Sequence, residues 1–287
     1  MRIVLISTYE MGRQPFGLAS PAAWLRGDGH EVTAADLSCS PMPWAAVQEA
    51  ELLAFFLPMH TATRLFQKLI DKVRAANPRA HLCGYGLYAP LNDALLRRLG
   101  VQTVIGGEFE QGLCDLARRL SVTRAGELPY RQPEPLISMA RQQFRVPDRT
   151  GLPALGAYAQ LIVDGATRRV GYTEASRGCK HLCRHCPVVP VYRGLFRIVQ
   201  AGSRARRHSP PGGRWSRTHH LRRPRFFQWS GPRDGDRGGA ESGVAGPHLR
   251  CDHQGGVVSG SNEKSVLLWS IKIQSDLLYS KFEHKQR

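Results

Sequence analysis

The sequence lacks the segments that are typical of membrane and secreted proteins. No run of eighteen apolar residues occurs among its 287 residues, so no membrane-spanning helix is expected. The N-terminal stretch MRIVLIS becomes polar too soon to serve as a secretory signal. The sequence also has no G-x-G-x-x-G and no Walker motif, so neither of these phosphate-binding loops is predicted.

The cysteines are unevenly distributed along the sequence. The chain has seven cysteines, and three of them lie between positions 179 and 186. This distribution favours a reducing compartment over a disulfide framework, so a cytoplasmic protein is expected. Cys39, Cys83 and Cys114 lie apart from the group and are interpreted as packing residues, because small buried thiols are common in protein cores.

The net charge of +17 would suit a nucleic-acid partner, but the basic residues are concentrated at one end. Residues 201–287 carry 16 Lys and Arg against 7 Asp and Glu, whereas residues 1–200 carry 24 against 16. One alternative is therefore a nucleic-acid-binding module that uses the arginine-rich tail as an electrostatic arm. Neither RGG repetition nor a recognisable RNA-binding fold accompanies the arginines, so nucleic acid is not the favoured partner.

Lysine is absent from residues 201–260, where Arg, Gly, Ser, Pro and His make up 39 of the 60 residues. Such a segment has too little apolar surface to offset its ordering entropy, and disorder is predicted. A reading-frame shift near Gln200 explains the composition better. Regrouped codons from His219 onward can read ITFGDPDFFNGP, and those for Pro232–Ala240 can read HAMAIVEAL. Because a strand, a loop and a helix emerge together, residues 201–287 are interpreted as a non-native tail.

Residues 1–125 have the pattern of five strand–helix units, which predicts a doubly wound parallel sheet. The predicted strands are Arg2–Ser7, Glu31–Ala35, Leu52–Leu57, Ala80–Gly84 and Val101–Ile105. Ser20 is predicted to cap the first helix, with Pro21 at its first position. Ligands of such sheets bind at the carboxyl ends of the strands. The candidate ligand loops are therefore Thr8–Gly17, Pro58–Thr61, Gly84–Pro90 and Gly106–Glu108.

The most specific motif is C-x3-C-x2-C, formed by Cys179, Cys183 and Cys186. Residues Gly171–Ser176 are predicted to form a strand that ends at Arg177-Gly178, so that the cysteines occupy the loop that follows. Three thiolates on one short loop can bind a four-iron cluster and leave one iron open to another ligand.

A zinc site is the alternative interpretation of this motif, with His181 or His185 as the fourth ligand. Zinc sites more often pair two C-x2-C units, and the sequence has no second unit of this kind. Arg177, Lys180 and Arg184 are expected to add positive charge beside a cluster and so to favour its reduced state.

The motif and its flanks resemble the radical S-adenosylmethionine (radical SAM) superfamily. The resemblance implies a [4Fe-4S] cluster on Cys179, Cys183 and Cys186, with S-adenosylmethionine bound at the open iron and cleaved to methionine and a 5′-deoxyadenosyl radical. It further implies an unknown small-molecule substrate and an electron donor such as flavodoxin or ferredoxin. Residues 169–200 would form the start of a (β/α) barrel. Where the family often has an aromatic residue before the last cysteine, this chain has His185.

The five-unit domain resembles the cobalamin-binding domain that precedes the barrel in B12-dependent radical SAM proteins, with residues 126–168 as the linker. Cobalamin is therefore a possible further cofactor. The D-x-H-x-x-G signature is absent, because the first loop reads YEMGRQPFG over Tyr9–Gly17. A bare cobalamin-binding or small-molecule-binding protein is the third alternative. If the barrel strands are lost to the frame shift, the chain is expected to be impaired or inactive as translated.

Overall fold

The computed structural model describes residues 1–124, 134–163, 166–174 and 176–199. The tail at 201–287, which is predicted to be non-native and disordered, lies outside the described residues. The residues whose codons suggest a frame shift belong to this tail. No helix in the described ranges has the length and apolar character needed to cross a bilayer.

A parallel sheet of six strands forms the N-terminal part of the protein, in the order β2-β1-β3-β4-β5-β6. The strands are β1 (Arg2–Ser7), β2 (Glu31–Asp36), β3 (Leu52–Phe56), β4 (His81–Tyr85), β5 (Thr103–Gly107) and β6 (Ile137–Ser138). The predicted α/β class and the five predicted strands are confirmed. The sixth strand comes from the segment that the sequence predicts as a linker.

Helices follow the strands as the α/β pattern requires. They are α1 (Phe16–Gly27), α2 (Trp44–Glu49), α3 (His60–Ala76), α4 (Asp93–Arg98) and α5 (Phe109–Arg124), with the short α6 (Val188–Tyr192) near the end of the described chain. A 3-10 turn at Pro90–Asn92 precedes α4, and another lies at Leu155–Ala157. Helix α2 was not predicted. It has six residues and follows a proline-rich loop.

The core lies on both faces of the sheet. Ile3, Leu5 and Phe56 pack with α1 and α5 on one face, whereas Val4 and Phe55 pack with α3 on the other. Neighbouring residues of a strand point to opposite faces, so a strand that is covered on both sides must be apolar throughout. This accounts for the uninterrupted apolar runs in β1 and β3.

The first helix begins earlier than predicted, and Ser20 does not cap it. Helix α1 starts at Phe16 and carries Pro21 in its interior. Proline cannot donate to the carbonyl four residues earlier. That carbonyl, of Gly17, instead accepts a 2.8 Å hydrogen bond from the hydroxyl of buried Tyr85. Replacement of the missing helical bond explains why the helix continues through Pro21, and it leaves Ser20 buried and directed at Glu110.

Two short antiparallel pairs follow the large sheet. One joins β7 (Leu161–Val163) to β8 (Ala166–Arg168), and the other joins β9 (Ser176–Gly178) to β10 (Phe196–Ile198). The strand predicted at Gly171–Ser176 is therefore displaced toward the cysteines. Residues 171–174 form no ladder, and the carbonyl of Tyr172 instead accepts a 2.7 Å hydrogen bond from Arg149. Within the described residues β9 pairs with β10 alone, so the predicted start of a parallel barrel is not seen there.

Candidate functional site

The cysteine motif lies on the irregular loop between β9 and α6. Cys179 and Cys186 are half-buried and Cys183 is exposed. A turn closes the second half of the motif, because the backbone N–H of Cys186 donates to the carbonyl of Cys183 at 3.1 Å. The carbonyl of Cys186 in turn accepts from Val189, the second residue of α6, at 3.2 Å. All three predicted site residues thus stand on one loop.

A small apolar platform supports the two half-buried cysteines. Cys179 and Cys186 both pack against a cluster that is built from the buried residues of α6 and from partly buried side chains of the sheet edge. The members of this platform are Val188, Val191, Tyr192, Leu87, Ile137 and Met139. Because Ile137 belongs to β6, the platform connects the cysteine loop directly to the N-terminal sheet.

Gly178 fixes the direction in which the chain leaves β9. Its φ of +76° lies in the left-handed region that favours glycine. A Cβ at this position would lie 2.1 Å from the carbonyl oxygen of Leu195 and 2.8 Å from the Tyr192 ring. The residue that immediately precedes the first cysteine therefore has to be a glycine if the β9–β10 pair is to remain closed.

The charge of Arg177, which the sequence predicts to favour a reduced cluster, is engaged by carboxylates of the protein. Its side chain is only 5% exposed and is surrounded by carboxylates. The guanidinium donates to Glu174 at 2.7 Å, to Glu108 at 3.1 Å and to Glu110 at 2.7 Å. These three acids balance the positive charge of Arg177 within the protein. Lys180 and Arg184 are exposed on the loop, and their expected effect on a cluster stays a prediction.

The two partner carboxylates lie where β5 gives way to α5. Glu108 follows the last residue of the strand, and Glu110 occupies the first turn of the helix, where the helix dipole favours negative charge. Burial alone would raise the pKa of Glu110, but the charge and hydrogen bonds of Arg177 lower it to about 2. For Glu108, burial outweighs the attraction of Arg177 and raises the pKa above its ordinary value.

Further contacts complete this buried network. Ser20 of α1 donates to Glu110 at 2.7 Å, and the amide of Gln142 donates to Glu110 at 2.8 Å and to Glu108 at 3.2 Å. The guanidinium of Arg177 lies over the rings of Phe109 and Phe144, at 4.7 and 5.3 Å from their centroids. Gln142, which lies in the predicted linker, is thus half-buried and bonded to both acids.

The network was not predicted as a whole, although the sequence contains one signal for it. The acidic residues of the stretch GGEFE come directly after a buried strand, at the edge where ligands and functional groups collect in parallel sheets. Their partner lies in the cysteine segment, more than sixty positions later in the chain. The predicted ligand loop Gly106–Glu108 includes the first of these acids, and the same pattern could have added Glu110, but no local pattern identifies Arg177 as the residue that they bind.

The first predicted ligand loop, Thr8–Gly17, is covered by a later segment of the chain. In the first loop, the carbonyl of Gly12 accepts from the backbone of Ala159 at 2.8 Å, and Gln14 donates to the carbonyl of Pro153 at 3.0 Å. Gly86 forms a tight turn at φ +105°, and its N–H donates to Ile105. Two grooves of about 350 and 230 Å³ lie at the opposite edge, at the amino ends of β4 and β5.

Several buried polar atoms at the covered edge have no hydrogen-bond partner among the described residues. They belong to Ser7 at the end of β1, Gln14 in the first loop, Glu108 after β5 and Thr173 in the covering segment. Buried polar atoms are nearly always satisfied by protein, water or a ligand. This edge therefore has hydrogen-bonding groups that the described contacts do not satisfy.

The remaining cysteines differ from one another. Cys83 and Cys114 are buried, as predicted for packing residues, and burial raises the pKa of both thiols, to about 12 for Cys114. The prediction is wrong for Cys39, which is exposed and donates to the carbonyl of Ala157 at 3.5 Å. Cys39 is therefore an accessible thiol outside the motif.

The motif fits a metal cluster by the chemistry of its donors. Within the part of the chain that the structure describes, no three His, Cys, Asp or Glu side chains converge on a common metal position. Residues 176–199 nevertheless offer three thiols and contain no carboxylate, a donor set that suits iron–sulfur clusters or zinc and not the oxygen-seeking cations. No protein-family model matches this sequence, and no curated protein matches it either.

Proposed function

We propose that this chain is a radical SAM protein by descent, in which Cys179, Cys183 and Cys186 bind a [4Fe-4S] cluster. Such a cluster, when bound, supplies the electron that cleaves S-adenosylmethionine and so begins radical chemistry on a substrate. The observation that carries the proposal is the C-x3-C-x2-C spacing on a single loop that directly follows a short strand.

The chain's own residues support this assignment through their placement. Cys179 and Cys186 stand on the apolar platform, which limits the access of water to their side of the loop. Cys183 is exposed at the other side. Lys180 and Arg184 are exposed cations on the same loop, and their charge favours a reduced cluster and an acidic electron donor such as flavodoxin or ferredoxin.

The proposal includes a loss of activity in the chain as translated. We interpret residues 169–200 as the start of the barrel and residues 201–287 as the product of a frame shift, so the strands that would hold the rest of S-adenosylmethionine are missing. Poor placement of a reacting group by about 1 Å can cost two orders of magnitude in rate. The chain is therefore expected to build the cluster and to cleave S-adenosylmethionine poorly.

The experiment compares 5′-deoxyadenosine formation, with dithionite as reductant, by this chain and by a version in which the reading frame is restored after Gln200. Cleavage by the restored version, abolished by Cys183→Ala in that version, would support the proposal. Equal rates from the two versions would contradict the frame-shift interpretation. Absence of cleavage from a folded, cluster-bearing restored protein would contradict the radical SAM assignment itself.

A second candidate function is binding of a small molecule or cobalamin by the N-terminal sheet. Buried polar atoms of Ser7, Gln14 and Thr173 at the carboxyl edge favour it, because they have no hydrogen-bond partner within the described ranges. Hydroxocobalamin retained in equilibrium dialysis and lost in Gln14→Leu would support this function, and full passage through the membrane would contradict cobalamin binding. Nucleic-acid binding depends on residues 201–260, which lie outside the described residues, and we do not propose it.

A further inference from the structure

We infer that Arg177 is a positioning residue that fixes the cysteine loop to the carboxyl edge of the N-terminal sheet. This inference rests on the proposed function, because the loop that Arg177 positions is the proposed cluster site. The N-terminal domain would then be a structural part of that site. Its geometry is independent of any bound group, because it consists of contacts that the protein chain makes with itself.

Arg177 lies next to the cysteine motif in the chain. Only Gly178 separates Arg177 from Cys179, and that glycine is held at φ +76° against the carbonyl of Leu195. A displacement of the Arg177 backbone is therefore transmitted to the first cysteine with little opportunity for local compensation. The side chain of Arg177 is 5% exposed, so its conformation is restricted on every side.

The partners of Arg177 belong to several separate parts of the N-terminal domain. Glu108 and Glu110 come from the junction of β5 and α5, while Ser20 of α1 and Gln142 beyond β6 hold these carboxylates in place. A planar guanidinium that bonds to a carboxylate with two N–H groups fixes both distance and orientation. Arg177 thus fixes the start of the loop to a preformed carboxylate pair.

The far side of the loop is held in the same way. The hydroxyl of Tyr192, in α6, donates to the carbonyl of Gly107 at 3.3 Å, and Arg197, in β10, donates to the carbonyl of Met139 at 2.7 Å. The acceptors lie at the end of β5 and directly after β6, on the same edge that bears Glu108. The loop is therefore suspended between two attachments to one sheet edge, and Arg177 is the attachment nearer to Cys179.

The first test measures thiol alkylation in the metal-free protein, residue by residue, with iodoacetamide and mass spectrometry. Arg177→Lys keeps the charge but loses the two-pronged geometry, and Arg177→Ala removes both. We expect a several-fold faster reaction of Cys179 and Cys186 in Arg177→Ala, an intermediate rate in Arg177→Lys, and an unchanged rate at exposed Cys183. Alkylation of buried Cys114 reports global unfolding. If Cys114 becomes reactive in Arg177→Ala, that variant is discarded and the alkylation rates of Arg177→Lys alone decide the test.

Arg119→Ala is the matched control. Arg119 forms a largely buried two-pronged ion pair with Glu134, at 2.6 and 3.0 Å, and this pair lies near His81 at the amino end of β4. Its replacement is expected to lower stability while leaving the alkylation rates of Cys179 and Cys186 unchanged. If Arg177→Ala and Arg177→Lys alter those rates no more than Arg119→Ala does, the positioning role of Arg177 is overturned.

The second test uses the iron-loaded protein and separates the two proposals. We expect Arg177→Ala to lose iron to a chelator about tenfold faster, as is typical when a residue that orients metal ligands is removed. The electron paramagnetic resonance signal of the reduced cluster should change shape in Arg177→Lys and not in Arg119→Ala. A wild-type protein that takes up no iron, with the alkylation pattern as expected, would contradict the proposed function and leave the role of Arg177 supported. Normal iron uptake with unchanged alkylation and an unchanged signal would overturn the role of Arg177 alone.

Discussion

Arg177 and Glu110 lie 67 positions apart in the chain and meet as a buried two-pronged ion pair, with one N–O distance of 2.7 Å. Neither side chain has appreciable contact with solvent, at 5% and 0% exposure. A buried pair that loses one partner leaves an unbalanced charge in a medium that solvates it poorly. This pair therefore holds the cysteine segment at one position on the sheet edge.

The first prediction concerns the stability of that pair. Glu110→Gln removes the carboxylate charge and keeps the side-chain volume, so the free energy of unfolding should fall by about 3 kcal/mol, as is typical of broken buried pairs. Urea unfolding followed by circular dichroism measures the change. Asp93→Asn is the control, because its pair with Arg97 is exposed and should contribute about 0.5 kcal/mol or less. A loss at Glu110 no larger than the loss at Asp93 would show that the pair is unimportant.

The second prediction concerns pH, where Glu108 and Glu110 act in opposite directions. The pKa of Glu110 is lowered to about 2, so its contribution to stability is complete above the ordinary glutamate pKa and is lost as the pH falls toward 2. The pKa of Glu108 is raised, so its contribution is complete below the ordinary pKa and is lost as the pH rises through the raised value.

Urea unfolding between about pH 3 and pH 8 tests these signs across the ordinary glutamate pKa of about 4.3. The stability advantage of the wild type over Glu110→Gln should grow as the pH rises. The stability of Glu108→Gln relative to the wild type should also improve as the pH rises, because the variant has no carboxyl to ionise at that position. Parallel pH profiles for the two variants would contradict the opposite directions in which the pKa values of Glu110 and Glu108 are shifted.

The third prediction concerns Gly178. An alanine there combines an unfavourable positive φ with a Cβ 2.1 Å from the carbonyl oxygen of Leu195. Gly151 has a comparable φ of +87° with no atom within 4 Å of the same position, so Gly151→Ala isolates the cost of the backbone conformation. We expect about 1–2 kcal/mol from the φ cost alone in Gly151→Ala, and a larger loss together with faster alkylation of Cys179 in Gly178→Ala. Equal effects of the two substitutions would indicate that β9 and β10 can separate without consequence.

The fourth prediction distinguishes the motif from Cys39, which is an accessible thiol elsewhere in the described part of the chain. Cys183→Ala should abolish binding of iron by anaerobically reconstituted protein, because it removes one of three ligands. Cys39→Ala should leave iron binding unchanged, although Cys39 is also exposed. Elemental analysis and the broad thiolate-to-iron absorbance near about 400 nm measure the outcome. Loss of iron in Cys39→Ala would show that the metal binds outside the motif.

Much of the N-terminal fold can be predicted because its signals are local. Strands β1, β3 and β4 appear as apolar runs, since a sheet covered by helices on both faces needs apolar residues at every position. The six-residue helix α2 was missed because it is too short to show a helical period. The start of α1 was misplaced because the Ser20-Pro21 pair resembles a helix start, whereas the contacts that decide the matter come from Tyr85 and Glu110.

In the candidate site, too, the features with local sequence signals were predicted and those that depend on distant contacts were not. The spacing of Cys179, Cys183 and Cys186 is local, so the sequence reveals the loop and the type of its ligands. The environment of Arg177 depends on side chains from β5, α1 and the segment after β6, and no local pattern records such contacts. The sequence therefore places the positive charge of Arg177 beside the cysteines, whereas the structure balances it with buried carboxylates.

The measurement that tests the central proposal most directly is Mössbauer spectroscopy of the wild-type chain reconstituted anaerobically with ⁵⁷Fe, iron and sulfide being counted on the same sample. The proposal predicts about four irons per chain in the spectrum of a [4Fe-4S] cluster, lost in Cys179→Ala, Cys183→Ala and Cys186→Ala alike. Stoichiometric zinc that iron does not displace, or a cluster that survives replacement of any one of the three cysteines, would contradict it.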